Sequence, residues 1–217
     1  MKKILILLAL SLTVAISAQK KITKGIIISK QSLTSDNEQA NQQFAMMGDM
    51  KTTTFFSGTK SRSELSNPMS GDVVTITDSK TGDVLMLMEN PMLGKKYMLQ
   101  KNNITAEDLK NIKVTATGKT KVVLGYTCKQ YIVSVNKDGQ TVEMDLFTTE
   151  AITIASQQTA MLGNKIKGFP LYSVMKMNQM GVSMTITTEV TEIKKETPVD
   201  AKKFSMTPPE GYEKMNQ

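Results

Sequence analysis

The chain has 217 residues, with 27 Lys and Arg against 20 Asp and Glu, one Cys, and no His or Trp. At 40% hydrophobic and 22% charged it lies in the globular range, and its length suits one domain of ordinary size. The lack of His excludes Ser–His–Asp and Cys–His catalysis, and the lone Cys excludes an internal disulfide, a zinc knuckle or an iron–sulfur cluster.

Residues 1–18 read as a cleavable secretory signal. Lys2 and Lys3 precede an apolar run over residues 4–12, and small Ala15, Ser17 and Ala18 stand before polar Gln19. The run is shorter than a membrane-spanning helix needs, and no later stretch of the mature chain supplies one. The only Cys, Cys128, lies far from the cleavage site, so no lipid anchor is expected there. The expected location is the periplasm or the exterior, and residues 19–217 are expected to form a single domain. The lysines of the mature chain are scattered in pairs with few aromatics beside them, which argues against nucleic acid as a partner.

Beyond the signal, apolar and polar residues alternate with period two, the pattern of half-buried strands. In chain order the expected strands cover residues 22–32, 51–57, 61–66, 73–78, 84–89, 96–100, 113–117, 121–135, 141–148, 171–177 and 182–191. Turn chemistry at residues 57–59, 79–83 and 137–139 joins neighbouring runs as hairpins, which makes an antiparallel meander. Helices are expected over 34–48 and 105–112, the second opened by a Thr105-Ala106-Glu107-Asp108 capping pattern. Residues 151–163 fit either an α segment or an irregular lid. So many strands in one chain need a closed or nearly closed arrangement to protect their edges.

Methionine is the compositional anomaly: 17 Met against six Phe and no Trp. Met46, Met47 and Met50 cluster, as do Met86, Met88, Met92 and Met98, and again Met175, Met177, Met180 and Met184. Flexible, polarisable Met side chains suit a wall that re-packs around an irregular apolar guest, although a core can also use Met where others use Leu. The candidate cavity wall is Phe44, Met47, Met86, Met88, Met144, Met175, Met177, Met184 and Ile186. Cys128 shares parity with Leu124, Tyr126 and Ile132 and reads as a buried small hydrophobe. Lys129 and Tyr131 take the opposite parity and read as surface residues. Asp78 with Asp83, and Glu107 with Asp108, read as turn and cap residues. No cofactor, metal site or enzyme activity is expected, since no catalytic motif is present.

Several short blocks carry a resemblance. They are Gly58-Thr59-Lys60-Ser61-Arg62-Ser63-Glu64, Val74-Thr75-Ile76-Thr77-Asp78, Gly125-Tyr126-Thr127-Cys128, Gly168-Phe169-Pro170-Leu171, and Phe204-Ser205-Met206-Thr207-Pro208-Pro209-Glu210-Gly211-Tyr212. In order and spacing they resemble an exported family filed as a domain of unknown function and similar to the LolA/LolB lipoprotein-carrier superfamily. The resemblance implies a mainly β fold: one incompletely closed antiparallel barrel of about ten or eleven strands, with a few short helices over its open side. It also implies a lid latched by an inward Arg. Arg62 is the residue in the corresponding place, while its own sequence context favours an Arg that faces solvent or pairs with the neighbours of Glu64.

The expected function is therefore an exported carrier that holds a lipid, a lipoprotein acyl chain or another apolar ligand in a Met-rich cavity. The alternative is a non-catalytic envelope interaction protein whose barrel core is filled and whose partner is another envelope protein.

Overall fold

The computed structural model of the chain describes residues 21–67, 71–101, 105–137, 140–154, 156, 159, 162, 165–179 and 181–215. The signal expected over 1–18, the centre of the turn expected at 137–139, and Met180 lie outside them. The strands are β1 (Lys24–Ser35), β2 (Met50–Ser57), β3 (Lys60–Asn67), β4 (Gly71–Asp78), β5 (Asp83–Asn90), β6 (Gly94–Gln100), β7 (Ile112–Val123), β8 (Tyr126–Lys137), β9 (Gln140–Thr149), β10 (Phe169–Gln179), β11 (Val182–Lys195) and β12 (Glu213–Lys214). All twelve join one sheet in the order β12-β6-β5-β4-β3-β2-β1-β11-β10-β9-β8-β7. Every pairing is antiparallel except that of β12 with β6. Hydrogen bonds do not close the ring, so the fold is the expected mainly β, incompletely closed barrel. Two meanders, β2 to β6 and β7 to β10, meet through the central pair β1 and β11.

The expected strand over 121–135 is two strands. Leu124 (φ 50) and Gly125 (φ 78) turn the chain between β7 and β8, with the positive φ pair that a type I′ hairpin requires. Asn or Gly usually fills the first of these positions, so Leu124 hides the turn inside an apolar run. Gly118, where a break was expected, lies instead in a bulge of β7, with the register shifting between Ala116 and Thr120. Helix α1 (Glu38–Met47) starts later than expected because β1 runs on to Ser35. The single turn α2 (Ala106–Lys110) falls within the expected 105–112. After β9 the chain folds back as a lid: Ile152 bridges to Ile22, and Ile154 and Leu162 are buried.

Directly opposed residues on neighbouring strands share a face, so the register threads each face across the sheet. One row runs Tyr97–Leu87–Val74–Glu64–Thr53–Ile28–Glu192. On the other face a row runs Met98–Met86–Thr75–Ser63–Thr54–Ile27. Charge separates the two. Among the side chains described, the charged residues with given register take the first face, except Lys96, Lys129, Lys195 and Glu213, which sit at the sheet edge or near strand ends. The charge-poor face is the inner one, and the charged face is the outer one.

Three buried clusters hold the sheet. The first joins Ile27, Phe56, Leu171 and Val190 to Ile22, Ile152 and Ile154. The second fills the inner face over β7 to β9, where Ile112, Val133, Met144 and Leu146 meet Leu162 and Ile166 of the lid. The third is on the outer face: Ile76, Leu85 and Leu87 lie under Met206 and Tyr212 of the segment that follows β11. That segment, with its 3-10 turn Ala201–Phe204 and strand β12, forms a strap across β3 to β6.

Candidate functional site

Seven of the residues expected in the cavity wall lie on strands, and all seven fall on the inner face. Met86 and Met88 oppose Thr75 and Val73 of β4, and Met86 also opposes Met98 of β6. On the far side of the barrel Leu33–Ile186–Met175–Met144–Val133 forms one row, and Met184 opposes Met177 in the next. Met86, Met88, Met175, Met177, Met184 and Ile186 are half-buried, so part of their apolar surface is uncovered. Met144 is different. It is 9% exposed and belongs to the second cluster, so it supports the wall from within the core. Met50, Met98, Leu33, Leu65 and Val73 join the same face, and period two alone could have placed them there.

Phe44 and Met47 lie on α1 and not on the sheet. Asn37 caps the helix by accepting from the Ala40 amide at 3.0 Å. Asn41 ties it to the end of β1, its Oδ1 accepting from the Ser35 amide at 2.7 Å and its Nδ2 donating to the Ser35 carbonyl at 2.6 Å. Phe44 and Met47, with Ala40 and Asn41, are half-buried, whereas Met46 between them is 82% exposed. No residue of α1 is fully buried, so a pair of side-chain amide bonds does much of the anchoring.

Between the two methionine groups the inner face is polar, which sequence reasoning missed. Thr77 and Ser61 are opposed, then Thr75, Ser63 and Thr54, then Thr52 and Ser29, then Gln31, Thr188 and Ser173. This diagonal band crosses six strands. Thr77 is 2% exposed, Ser173 3% and Ser61 6%. The Thr54 and Ser63 hydroxyls bond each other at 2.8 Å. The signal was the parity shared by Thr52 with Thr54, Ser61 with Ser63, and Thr75 with Thr77. Thr suits a strand on either face, so that parity alone does not say which side it takes. Tyr131 was expected outside, yet it is half-buried against the second cluster and opposes Leu146 on the inner face.

Arg62 points the other way. It lies on the outer face opposite Phe55 and Ile76, where its Nε donates to Glu64 at 2.6 Å and its Nη1 to the Lys203 carbonyl at 3.4 Å. Lys203 completes the group by donating to Glu64 at 3.3 Å and lying over the Phe55 ring at 4.1 Å. Arg62 therefore pins the strap and does not reach the methionine-lined side. Partial burial alone would raise the Glu64 pKa, but the hydrogen bonds and charges of Arg62 and Lys203 outweigh it and hold the carboxyl below its ordinary value. Further along the strap Tyr212 donates to Glu89, and burial together with that carboxylate pushes the phenol up to about 12. Between strap and sheet lies an outer groove of about 580 Å³, lined by Lys51, Arg62, Asp72, Glu89, Pro209 and Tyr212 among others.

Among the described residues no three His, Cys, Asp or Glu side chains come together to hold a metal. Asp78 accepts from the Lys80 amide and the Thr59 hydroxyl, as a turn residue does. Asp145 accepts both of its short contacts from the Gln130 amide. Cys128 is fully buried in the first cluster, and desolvation pushes its thiol up to about 11. No helix of the described residues is long and apolar enough to cross a membrane.

These features define an open β-barrel with an inner face of methionine and hydroxyl groups and a strapped, charged exterior. The chain belongs to the family described as domain of unknown function DUF4412, which matches residues 39–212. No curated protein matches it. Similar solved structures include PNGF-II, at 15% identity and TM-score 0.48 over 89% of this chain. The present chain spans only 31% of PNGF-II. A DUF1329 family protein from Desulfovibrio piger is similar at 8% identity and TM-score 0.36, over 85% of this chain and 90% of that one. A domain from Vibrio parahaemolyticus described as outer membrane lipoprotein-sorting is similar at 9% identity and TM-score 0.22, over 83% and 89% of the respective chains.

Proposed function

We propose that this protein is a non-catalytic carrier, exported to the periplasm or beyond, that holds a lipid, a lipoprotein acyl chain or another apolar ligand against its methionine-lined inner face. The register carries this reading. Met86, Met88, Met175, Met177, Met184 and Ile186 come from three strands, share one charge-poor face and keep part of their surface uncovered. Each buried CH₂ of a guest contributes ~0.8 kcal/mol, so a dodecyl chain offers on the order of 10 kcal/mol before the costs of association. Thioether walls adapt to chains of differing shape without a fixed pocket. Export rests on the signal features of residues 1–18.

The competing reading, an envelope interaction protein with a filled core, draws on the β7 to β9 third of the inner face, which the lid already fills. Organic extraction of the purified mature protein, followed by lipid mass spectrometry, separates the two. So does titration with a fluorescent acyl probe of wild type and of the Met86→Glu and Met184→Glu variants. A carrier yields co-purifying lipid and loses at least about tenfold in probe affinity when a carboxylate enters the inner face. Lipid-free protein whose probe response ignores both substitutions supports the filled core.

A further inference from the structure

We infer that the inner face selects an amphiphile with an uncharged, hydroxyl- or ester-bearing head, binding that head on the Ser/Thr band and the tail on the flanking methionines. This rests on the carrier reading and names the ligand class that it takes. The band is placed for such a role. Thr54, Ser63 and Thr75 form one continuous row that ends on Met86 and Met98, so hydroxyls and thioethers are nearest neighbours on the same face. On the opposite wall Thr188 and Ser173 stand one row from Ile186 and Met175. A guest lying along either row meets polar and apolar groups in turn.

The chemistry of the band fixes the sign of the head. Each Ser or Thr hydroxyl both donates and accepts, and Gln31 adds an amide with the same versatility, so hydroxyl, ether and ester groups can be matched in either direction. An anionic head finds no such match. The charged side chains of β2 to β4 lie on the opposite surface: Lys51, Lys60, Arg62, Glu64, Asp72 and Asp78 all project outward. Arg62, the one guanidinium in this region, is committed to Glu64 and the strap. Among the side chains described, the lysines that do take the inner face are engaged elsewhere, Lys96 with Glu213, Lys129 with Glu150 and Lys195 over the Tyr126 ring, so a carboxylate or phosphate placed on the band would lose its hydration with no uncommitted cation among them to replace it. Hydroxyl-lined interiors of this kind also hold water, which a neutral head displaces while keeping the same hydrogen bonds.

The experiment is calorimetric titration of the mature protein at pH 8 with three ligands of equal tail length: monododecanoylglycerol, dodecyl glucoside and dodecanoate. We expect one or both neutral ligands to bind at least about tenfold more tightly than dodecanoate. Thr54→Val and Thr75→Val, which delete a hydroxyl and keep the shape, should shrink that gap by weakening the neutral ligands more than dodecanoate. The relative order of glyceryl and glucosyl heads tells an acylglycerol from a glycolipid guest. Dodecanoate binding as tightly as both neutral ligands overturns the head-group inference alone and leaves the carrier reading intact. Failure of all three to bind overturns both. The wild-type comparison needs no variant, so poor folding of a Thr→Val protein does not blunt the test.

Discussion

The pairing of β1 with β11 is the one junction between the two meanders, and Gly25 sits on it. Gly25 faces Phe56 across β2 and Lys195 across β11, with φ +151. A Cβ added there would stand 2.3 Å from the Lys194 carbonyl oxygen and 3.3 Å from the fully buried Phe56 ring. Gly25→Ala therefore meets two costs. The backbone conformation is unfavourable for an L side chain by about 1–3 kcal/mol. Retreat of the Lys194 carbonyl weakens a ladder hydrogen bond, at about 1 kcal/mol. The expected loss of about 2–4 kcal/mol is a large part of the ~5–15 kcal/mol that holds a typical fold. For a chain of this size it corresponds to a fall in Tm of roughly 5–15 °C.

Gly58→Ala is the control, because Gly58 also has positive φ (+62) but open space around its Cβ position. It should lose only the conformational part, about 1–2 kcal/mol. Thermal unfolding followed by circular dichroism, with urea titration for the free energy, distinguishes the two. If both variants melt within about 1 °C of each other, close approach at the β1–β11 junction is not what makes Gly25 necessary.

Two further outcomes follow from the strap and the core. Glu64 has a depressed folded-state pKa, so its contribution is fully present above the ordinary carboxylate value of about 4.3 and is lost as pH falls through the lower folded value. Hydrogen exchange should therefore show residues 201–212 opening on acidification below pH ~4.3, and Arg62→Met should weaken the Glu64 part of that dependence, leaving what Lys203 contributes. In the folded protein Cys128 should resist alkylation at pH 8. Its thiol pushed up to about 11 holds about 100-fold less thiolate than an ordinary one, and full burial adds to the protection. Fast labelling under native conditions would contradict its place in the first cluster.

Alternation made the barrel legible. A strand with one dry face writes its partner register into residue parity, which is why Met86, Met88, Met175, Met177, Met184 and Ile186 could be named before any pairing was known. What parity cannot give is the identity of a face when both sides of a strand carry small polar residues. Thr75 and Thr77 illustrate this: they share a parity with Val73, and only the neighbouring strands show that it is the inner one. The Leu124–Gly125 turn was hidden for a local reason, since an apolar residue occupies a positive-φ site. The strap was hidden for a non-local one. Nothing near Arg62 in the sequence announces that Lys203 will cover it, because the two are 141 residues apart.

That separation has a counterpart in the order of assembly. The Ser35 hydroxyl donates to the Ser183 carbonyl across 148 residues, and the whole of β1 waits on a strand of equal remoteness for its second neighbour. Hairpins within each meander can zip locally, but the junction must form late, after a long loop has been closed against its entropy. Until then β1 and β11 both expose unpaired edges, so the slow, vulnerable interval of folding falls at the place where the finished molecule is most continuous.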